Sequence, residues 1–238
     1  MSKAIYIPLF LFFLFQTHTV FAETLNTPDT TTTKVVYLTF DADMNKVIEK
    51  RLKSGKVSTW YSRNLVSYLE REHIPATIFV TGMFAELYPS LVRELAQTPG
   101  ILIGNHTYDH AGFERPCYKM RILSSDQEKK DEIIKTQEIL TPLIGYAPKY
   151  FRFPGLCDNP RDDQLVQSLG LVVADNGVVS GDAFSKNPKR IAHTVLRHVQ
   201  DQSVVIMHLG GPNAPSTYIA MKKIVPTLER EGYVFRHL

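Results

Sequence analysis

Short apolar blocks alternate along this chain with longer stretches of helical periodicity. Strand-like runs fall at residues 35–40, 76–80, 101–103, 150–153, 171–173, 204–207 and 233–236. Between the first two, Tyr61, Leu65, Tyr68 and Leu69 share one face at i, i+4, i+7 and i+8, which predicts a helix. Ser125 and Glu128 read as a capping box ahead of a helix through Ile133, Leu140 and Ile144. Further helices are predicted over 84–97, 161–169, 188–200 and 216–230. Strands alternating with helices argue for an α/β fold, a parallel sheet wrapped by helices and either open or closed into a barrel. In a barrel the chemistry sits at the carboxyl ends of the strands. Asp41, Asp43, His106, His110, Arg152 and His208 all follow their apolar runs closely.

The run through Ile103 leads into Gly104-Asn105-His106-Thr107-Tyr108-Asp109-His110, an HxxxH spacing that lets two imidazoles point the same way from one helical turn. Zn²⁺ takes imidazole nitrogen readily, and a catalytic zinc site uses three protein ligands with a position left open. The run ending at Phe40 is followed by Asp41-Ala42-Asp43. Two histidines plus one carboxylate complete a ligand set, with one aspartate to spare. Read singly, the pattern has bland explanations: HxxxH occurs on solvated helices, and aspartates at strand ends cap helices.

Composition narrows the setting. Met1-Ser2-Lys3, an apolar stretch from Ala4 to Phe15 and the small-residue site Val20-Phe21-Ala22 read as a secretory signal peptide over residues 1–22. The apolar stretch is shorter than the roughly 20 residues that span a bilayer, so cleavage without a stable membrane anchor is expected. The setting is then secreted or periplasmic. Residues 23–34 form a Thr-rich polar tract, expected as a flexible leader, and 35–238 suits one domain. The first 22 residues carry one Lys and no acid, so 27 basic and 24 acidic residues become 26 and 24, a net of +2. No basic block points to nucleic acid. Cys117 and Cys157 are the two cysteines, and an oxidising compartment allows one disulfide between them, with two separately buried thiols as the other reading.

Five short motifs in order resemble those of the polysaccharide deacetylase family, the NodB-homology carbohydrate esterases of family 4. They are Thr39-Phe40-Asp41-Ala42-Asp43, His106-Thr107-Tyr108-Asp109-His110, Arg152-Phe153-Pro154-Gly155, Val179-Ser180-Gly181-Asp182-Ala183 and Val205-Ile206-Met207-His208. The resemblance spans 35–238 and implies a distorted (β/α) barrel. It also implies metal-dependent removal of N-acetyl groups from the amino sugars of a polymer. Asp41 is then the base, and Asp43, His106 and His110 hold Zn²⁺ or another divalent transition metal. Arg152 pairs with Asp41, the Gly155 N–H serves the oxyanion, and His208 protonates the departing amine. The fourth motif departs from the family pattern: Val179 replaces its first aspartate and Ala183 its tryptophan. That loss predicts weakened support for His208 unless Asp175 or Asp182 takes over, with Phe184 as a substitute aromatic wall.

Three rival classes use similar residues. Asp41-Ala42-Asp43 resembles the DxD of glycosyltransferases, but secretion and the lack of a phosphate-cradling glycine loop argue against it. Two histidines and a carboxylate also form the facial triad of non-haem iron oxygenases. The order of the ligands and the absence of a jelly-roll pattern of strands weigh against that. The third is a non-catalytic carbohydrate-binding protein on a decayed deacetylase fold, which the altered fourth motif keeps open.

Overall fold

The first apolar block forms β1 (Lys34–Ala42), whose residues Val36, Leu38, Phe40 and Ala42 are fully buried on one face while Thr39 and Asp41 are buried on the other. Burial on both faces is the signature of a parallel strand covered on each side. The computed structural model describes Met1 and residues 33–238, so the expected signal peptide and almost all of the leader lie outside the described residues. Lys34, placed in the leader by its composition, opens β1 instead and pairs with Tyr233.

From β1 the chain continues through α1 (Lys46–Lys53), α2 (Arg63–Arg71), β2 (Ala76–Val80), α3 (Gly82–Leu87), α4 (Pro89–Gln97) and β3 (Ile101–Asn105). The second half holds α5 (Asp126–Ile144), β4 (Tyr150–Phe151), α6 (Pro160–Ser168), β5 (Val172–Val173) and β6 (Val178–Val179). It ends with α7 (Pro188–His198), β7 (Ser203–His208), α8 (Ala214–Arg230) and β8 (Tyr233–Arg236). The sheet runs β5-β4-β3-β2-β1-β7-β6 with every pairing parallel. On β1, residues 34–37 pair β8 and residues 39–42 pair β2, so the two share one edge while β7 takes the other. β5 and β6 end the path without pairing each other, which makes the sheet a curled, incompletely closed barrel, the distorted (β/α) form expected.

Three local differences have physical causes. The helix predicted over 84–97 is broken at Tyr88, because Pro89 disfavours helical backbone in the residue before it. α1 is eight residues long and offers only Ile48 and Leu52 to the core, both partly buried, which is too little for a periodic signal; Asn45 caps it by accepting from the Val47 and Ile48 amides. β6 is two residues long, too short for a periodic signal. Among the described residues no helix is long and apolar enough to cross a membrane.

Register carries the strand ends to one level. Asp41 on β1 lies beside His208 on β7 and Phe79 on β2, Val80 lies beside Asn105 on β3, and Asn105 lies beside Phe151 on β4. The residues that follow these ends, His106 and Arg152, therefore emerge next to Asp41 and His208.

Candidate metal and catalytic site

β3 delivers His106, and the loop after it delivers His110, through backbone that is not helical. Thr107 and His110 both take left-handed conformations, with φ of 64° and 60°. The two imidazoles converge by this strained turn and not by the one helical turn that the spacing implies. Nε2 of His106 and Nε2 of His110 each lie 3.4 Å from Oδ1 of Asp43. The three ligand atoms are all within 4.8 Å of one another.

The cluster fits a divalent transition metal on its own geometry. Asp43 Oδ1 and His106 Nε2 are buried and, among the described residues, have no hydrogen-bond partner, a condition that folded proteins rarely tolerate. Both atoms face the same gap. His106 Nδ1 lies 2.8 Å from the Arg152 carbonyl, which accepts its proton and leaves Nε2 as the free lone pair. Burial works to raise the Asp43 pKa, yet His110, His106 and His208 together hold it well below the usual carboxylate range. Burial lowers the His110 pKa by more than Asp43 restores, keeping that ring a neutral donor. One carboxylate oxygen and two imidazole nitrogens are a set that Zn²⁺ accepts.

Arg152 is fully buried and engages all three of its guanidinium nitrogens. Nη1 donates to Asp41 Oδ1 at 2.9 Å and to Thr39 Oγ1 at 2.7 Å, while Nε and Nη2 donate to the Ala174 carbonyl at 3.0 and 2.7 Å. Its guanidinium also lies over the Phe79 ring, 4.2 Å from the centroid. Asp41 is thus aimed by a fixed cation and leaves Oδ2 toward His106, 4.0 Å from Nε2. Thr39 and Ala174 are not singled out by the sequence, although Thr39 lies within the first motif.

His208 faces the cluster from β7. Its Nδ1 is 2.7 Å from Asp182 Oδ1, and its backbone amide donates to Asp182 Oδ2 at 2.8 Å. Thr217 Oγ1 donates to the same Oδ2 at 2.8 Å. Burial alone would lower the His208 pKa, but the Asp182 hydrogen bond and charge, with Asp43 and Asp41 behind, push it up to about 10. The support expected to be lost at Val179 is therefore intact, because the carboxylate retained in the fourth motif makes the bond. Val179 is 49% exposed and only lines the pocket wall. Asp175 does not reach His208 either; it accepts the Phe153 amide at 3.1 Å, beneath Arg152.

Gly155 closes the constellation. Its φ is 66°, a left-handed backbone that favours glycine. Among the described residues its N–H makes no hydrogen bond, and it lines the cavity of about 200 Å³ that also holds Asp41, Asp43, His110 and His208. The Cys117–Cys157 disulfide forms, with a Cα–Cα distance of 5.6 Å, and ties the loop bearing Tyr118 and Met120 to the Gly155 loop. Phe184 stacks on Tyr118 at 5.5 Å, so an aromatic wall does stand where Ala183 supplies none.

A curled parallel α/β barrel that gathers a carboxylate and two imidazoles able to hold a metal ion at the ends of its strands is the class that fold and site define here. Within it the chain belongs to the polysaccharide deacetylase family, whose description matches residues 28–174. Asp182 and His208 lie beyond that match and rest on the register and hydrogen bonds above. The chain is 30% identical over 178 residues to a peptidoglycan-N-acetylglucosamine deacetylase of Bacillus cereus, covering 74% of this chain and 61% of that protein. It is 26% identical over 181 residues to a chitooligosaccharide deacetylase of Azorhizobium caulinodans, covering 71% and 82%. Against the larger peptidoglycan deacetylase PgdA of Listeria monocytogenes it spans 38% of the length.

Among solved structures, a peptidoglycan N-acetylglucosamine deacetylase superposes with a TM-score of 0.71 at 27% identity over 86% of each chain. A family 4 acetyl xylan esterase from Clostridium thermocellum, solved with a cobalt ion, gives 0.67 at 25%, covering 86% and 88%. A family pseudoenzyme from Bacillus anthracis shares the fold at 17% identity and 0.69. Fold alone therefore decides nothing about turnover; the side chains must. Family membership sets aside the glycosyltransferase and iron-oxygenase readings.

Proposed function

We propose that this chain is a metal-dependent polysaccharide deacetylase that hydrolyses N-acetyl groups on amino sugars of an extracellular polymer, releasing acetate and a free amine. The observation that carries the reading is the placement of two charge-paired side chains on either side of the ligand cluster. Asp41 is held by Arg152 and His208 by Asp182. Zn²⁺ or a similar ion, when bound by Asp43, His106 and His110, lowers the pKa of water and polarises an acetyl carbonyl. Asp41, fixed by Arg152, takes the proton from the attacking water. The Gly155 N–H donates to the oxygen as negative charge builds on it. His208, with Nδ1 committed to Asp182, presents Nε2 to the pocket and delivers a proton to the nitrogen, since an amide anion is too poor a leaving group to depart bare. Asp182 stabilises the imidazolium until that transfer.

Intact pairing on both sides favours catalysis over the alternative of a non-catalytic carbohydrate-binding protein. Relatives named as deacetylases of peptidoglycan N-acetylglucosamine or chitooligosaccharide support an acetylated amino-sugar substrate, and the signal-peptide pattern of residues 1–22 supports a secreted or periplasmic setting. Room for sugar on both sides of His208 fits this: the first cavity ends at Tyr118 and Phe184, and a second of about 130 Å³ is walled by Trp60 and Ile48. The test is incubation of Zn²⁺-loaded protein with peptidoglycan, chitin oligomers and poly-N-acetylglucosamine, reading acetate and product mass. Acetate release that Asp41→Asn abolishes is expected. Glycan binding without acetate from any of them would establish the binding protein instead.

A further inference from the structure

The loop that carries both histidines is held unequally. His106 is anchored from behind by the Arg152 carbonyl, but among the described residues no hydrogen bond fixes Nδ1 of His110. The aim of His110 therefore depends on the backbone between the two rings. That backbone contains two non-glycine residues in left-handed conformations, Thr107 and His110 itself. Such residues cost about 1–3 kcal/mol each and persist only where the surroundings fix them.

One side chain does much of the fixing. Oε2 of Glu132, on α5, accepts the amides of Tyr108 at 2.9 Å and Asp109 at 3.1 Å, two successive donors at the crest of the loop. The Glu132 side chain is 12% exposed, so these bonds are shielded from water. Arg121 locks the arrangement from outside: Nη2 reaches Glu132 Oε1 at 2.6 Å and Asp109 Oδ1 at 2.9 Å, and Nε reaches Asp109 Oδ2 at 3.2 Å. The rest of the loop is held at Thr107, whose amide donates to Asn105 Oδ1 and whose carbonyl accepts from Gly82, and at the Tyr108 carbonyl, which accepts from Met83 at 2.9 Å; the amide side of the crest is left to Glu132.

We propose that Glu132 is a positioning residue for the metal site, holding the Tyr108–Asp109 peptide so that His110 meets the ion beside His106 and Asp43. The role rests on the metal-site reading above and extends it to a carboxylate that touches neither ion nor substrate. Removing the carboxylate leaves two shielded amides without acceptors and frees the strained turn to relax. His110 then swings away while His106 and Asp43 stay in place, and a tridentate site becomes bidentate.

The experiment is a Zn²⁺ affinity measurement by chelator competition on metal-stripped protein, with the visible spectrum of the Co²⁺-loaded form as a reading of coordination. Glu132→Ala should weaken Zn²⁺ binding about 10- to 100-fold and change the Co²⁺ spectrum, the scale typical of groups that orient ligands. Glu132→Gln keeps an oxygen acceptor for the two amides and should recover most of the affinity. Leu228→Ala opens a cavity near the end of α8, which leads into β8 beside the start of β1 and so lies at the opposite end of the sheet from the loop; it should lower the melting temperature and leave the affinity alone. Should Glu132→Ala not fold, Glu132→Asp, which withdraws the carboxylate by one methylene, must show the same loss. An affinity within about threefold of wild type in the folded variant, or equal weakening by Leu228→Ala, overturns the role. Wild-type protein that takes up no Zn²⁺ overturns the metal site itself, so the two failures are distinct.

Discussion

Asp182 grips His208 twice, Oδ1 to the ring at 2.7 Å and Oδ2 to the backbone amide at 2.8 Å. A carboxylate bound in both ways sets the tautomer of the imidazole as well as its charge, leaving Nε2 as the atom that faces the cluster. The arrangement also explains how the chain tolerates Val179: the retained aspartate of the fourth motif reaches the ring by itself.

Activity that needs protonated His208 should hold into the alkaline range and fall as pH rises through the pKa of that group. Asp182 raises this pKa, so Asp182→Asn should move the alkaline decline to lower pH and reduce turnover in mildly alkaline buffer. Val179→Asp should leave the profile where it is. Initial rates of acetate release across the acid-to-alkaline range on the three proteins decide the matter; an unmoved limb in Asp182→Asn would remove the assignment.

Ligands and base should separate cleanly. His106→Ala, His110→Ala or Asp43→Ala each leaves two donors and should lose tightly bound Zn²⁺ along with activity. Asp41→Asn keeps the three ligands and a side chain that Arg152 can still contact, so metal content should stay near one ion per chain. Turnover should fall about 100-fold or more, the scale of a lost general base. Metal analysis beside acetate release gives the answer, and loss of metal in Asp41→Asn would make Asp41 a ligand.

The disulfide joins cysteines 40 residues apart, for which chain entropy gives about 3 to 4 kcal/mol. It also fastens Met120 and Tyr118 over Gly155. Reduction, or Cys117→Ser with Cys157→Ser, should therefore lower the melting temperature and weaken turnover together. Intact mass of the unreduced protein after alkylation should show no labelled thiol. Two labelled cysteines in native protein would contradict the pairing.

Much of this site is legible in the sequence because its residues sit where strands end, and strand ends are marked by apolar runs. Asp41, His106, Arg152 and His208 can be placed this way. The geometry between them cannot. Register decides that Asp41 lies beside His208, and the HxxxH spacing gives no sign of the left-handed turn that joins its rings. Thr39 and the Ala174 carbonyl complete the Arg152 cradle through contacts 113 and 22 residues apart in the chain, so no local pattern shows them. Asp182 stands among the candidate partners of His208 in the sequence, but only distance chooses it over Asp175.

Asp175 has a separate consequence. Burial raises its pKa to about 7, against the opposing pull of Arg152 and the Phe153 amide. An acid whose folded pKa exceeds its unfolded value binds more proton in the folded state, so stability falls as pH rises. The loss accumulates between the ordinary carboxylate value of 3.8 and about 7 and is complete above that. Asp175→Asn keeps an oxygen for the Phe153 amide and removes the ionisation. The variant should therefore melt near the wild-type temperature below that window and above it on the alkaline side, with the gap opening across the window. Melting curves of metal-free protein at several pH values test it. A gap that is constant with pH would show that Asp175 ionises as freely in the fold as in the unfolded chain, and that Arg152 serves two carboxylates at once.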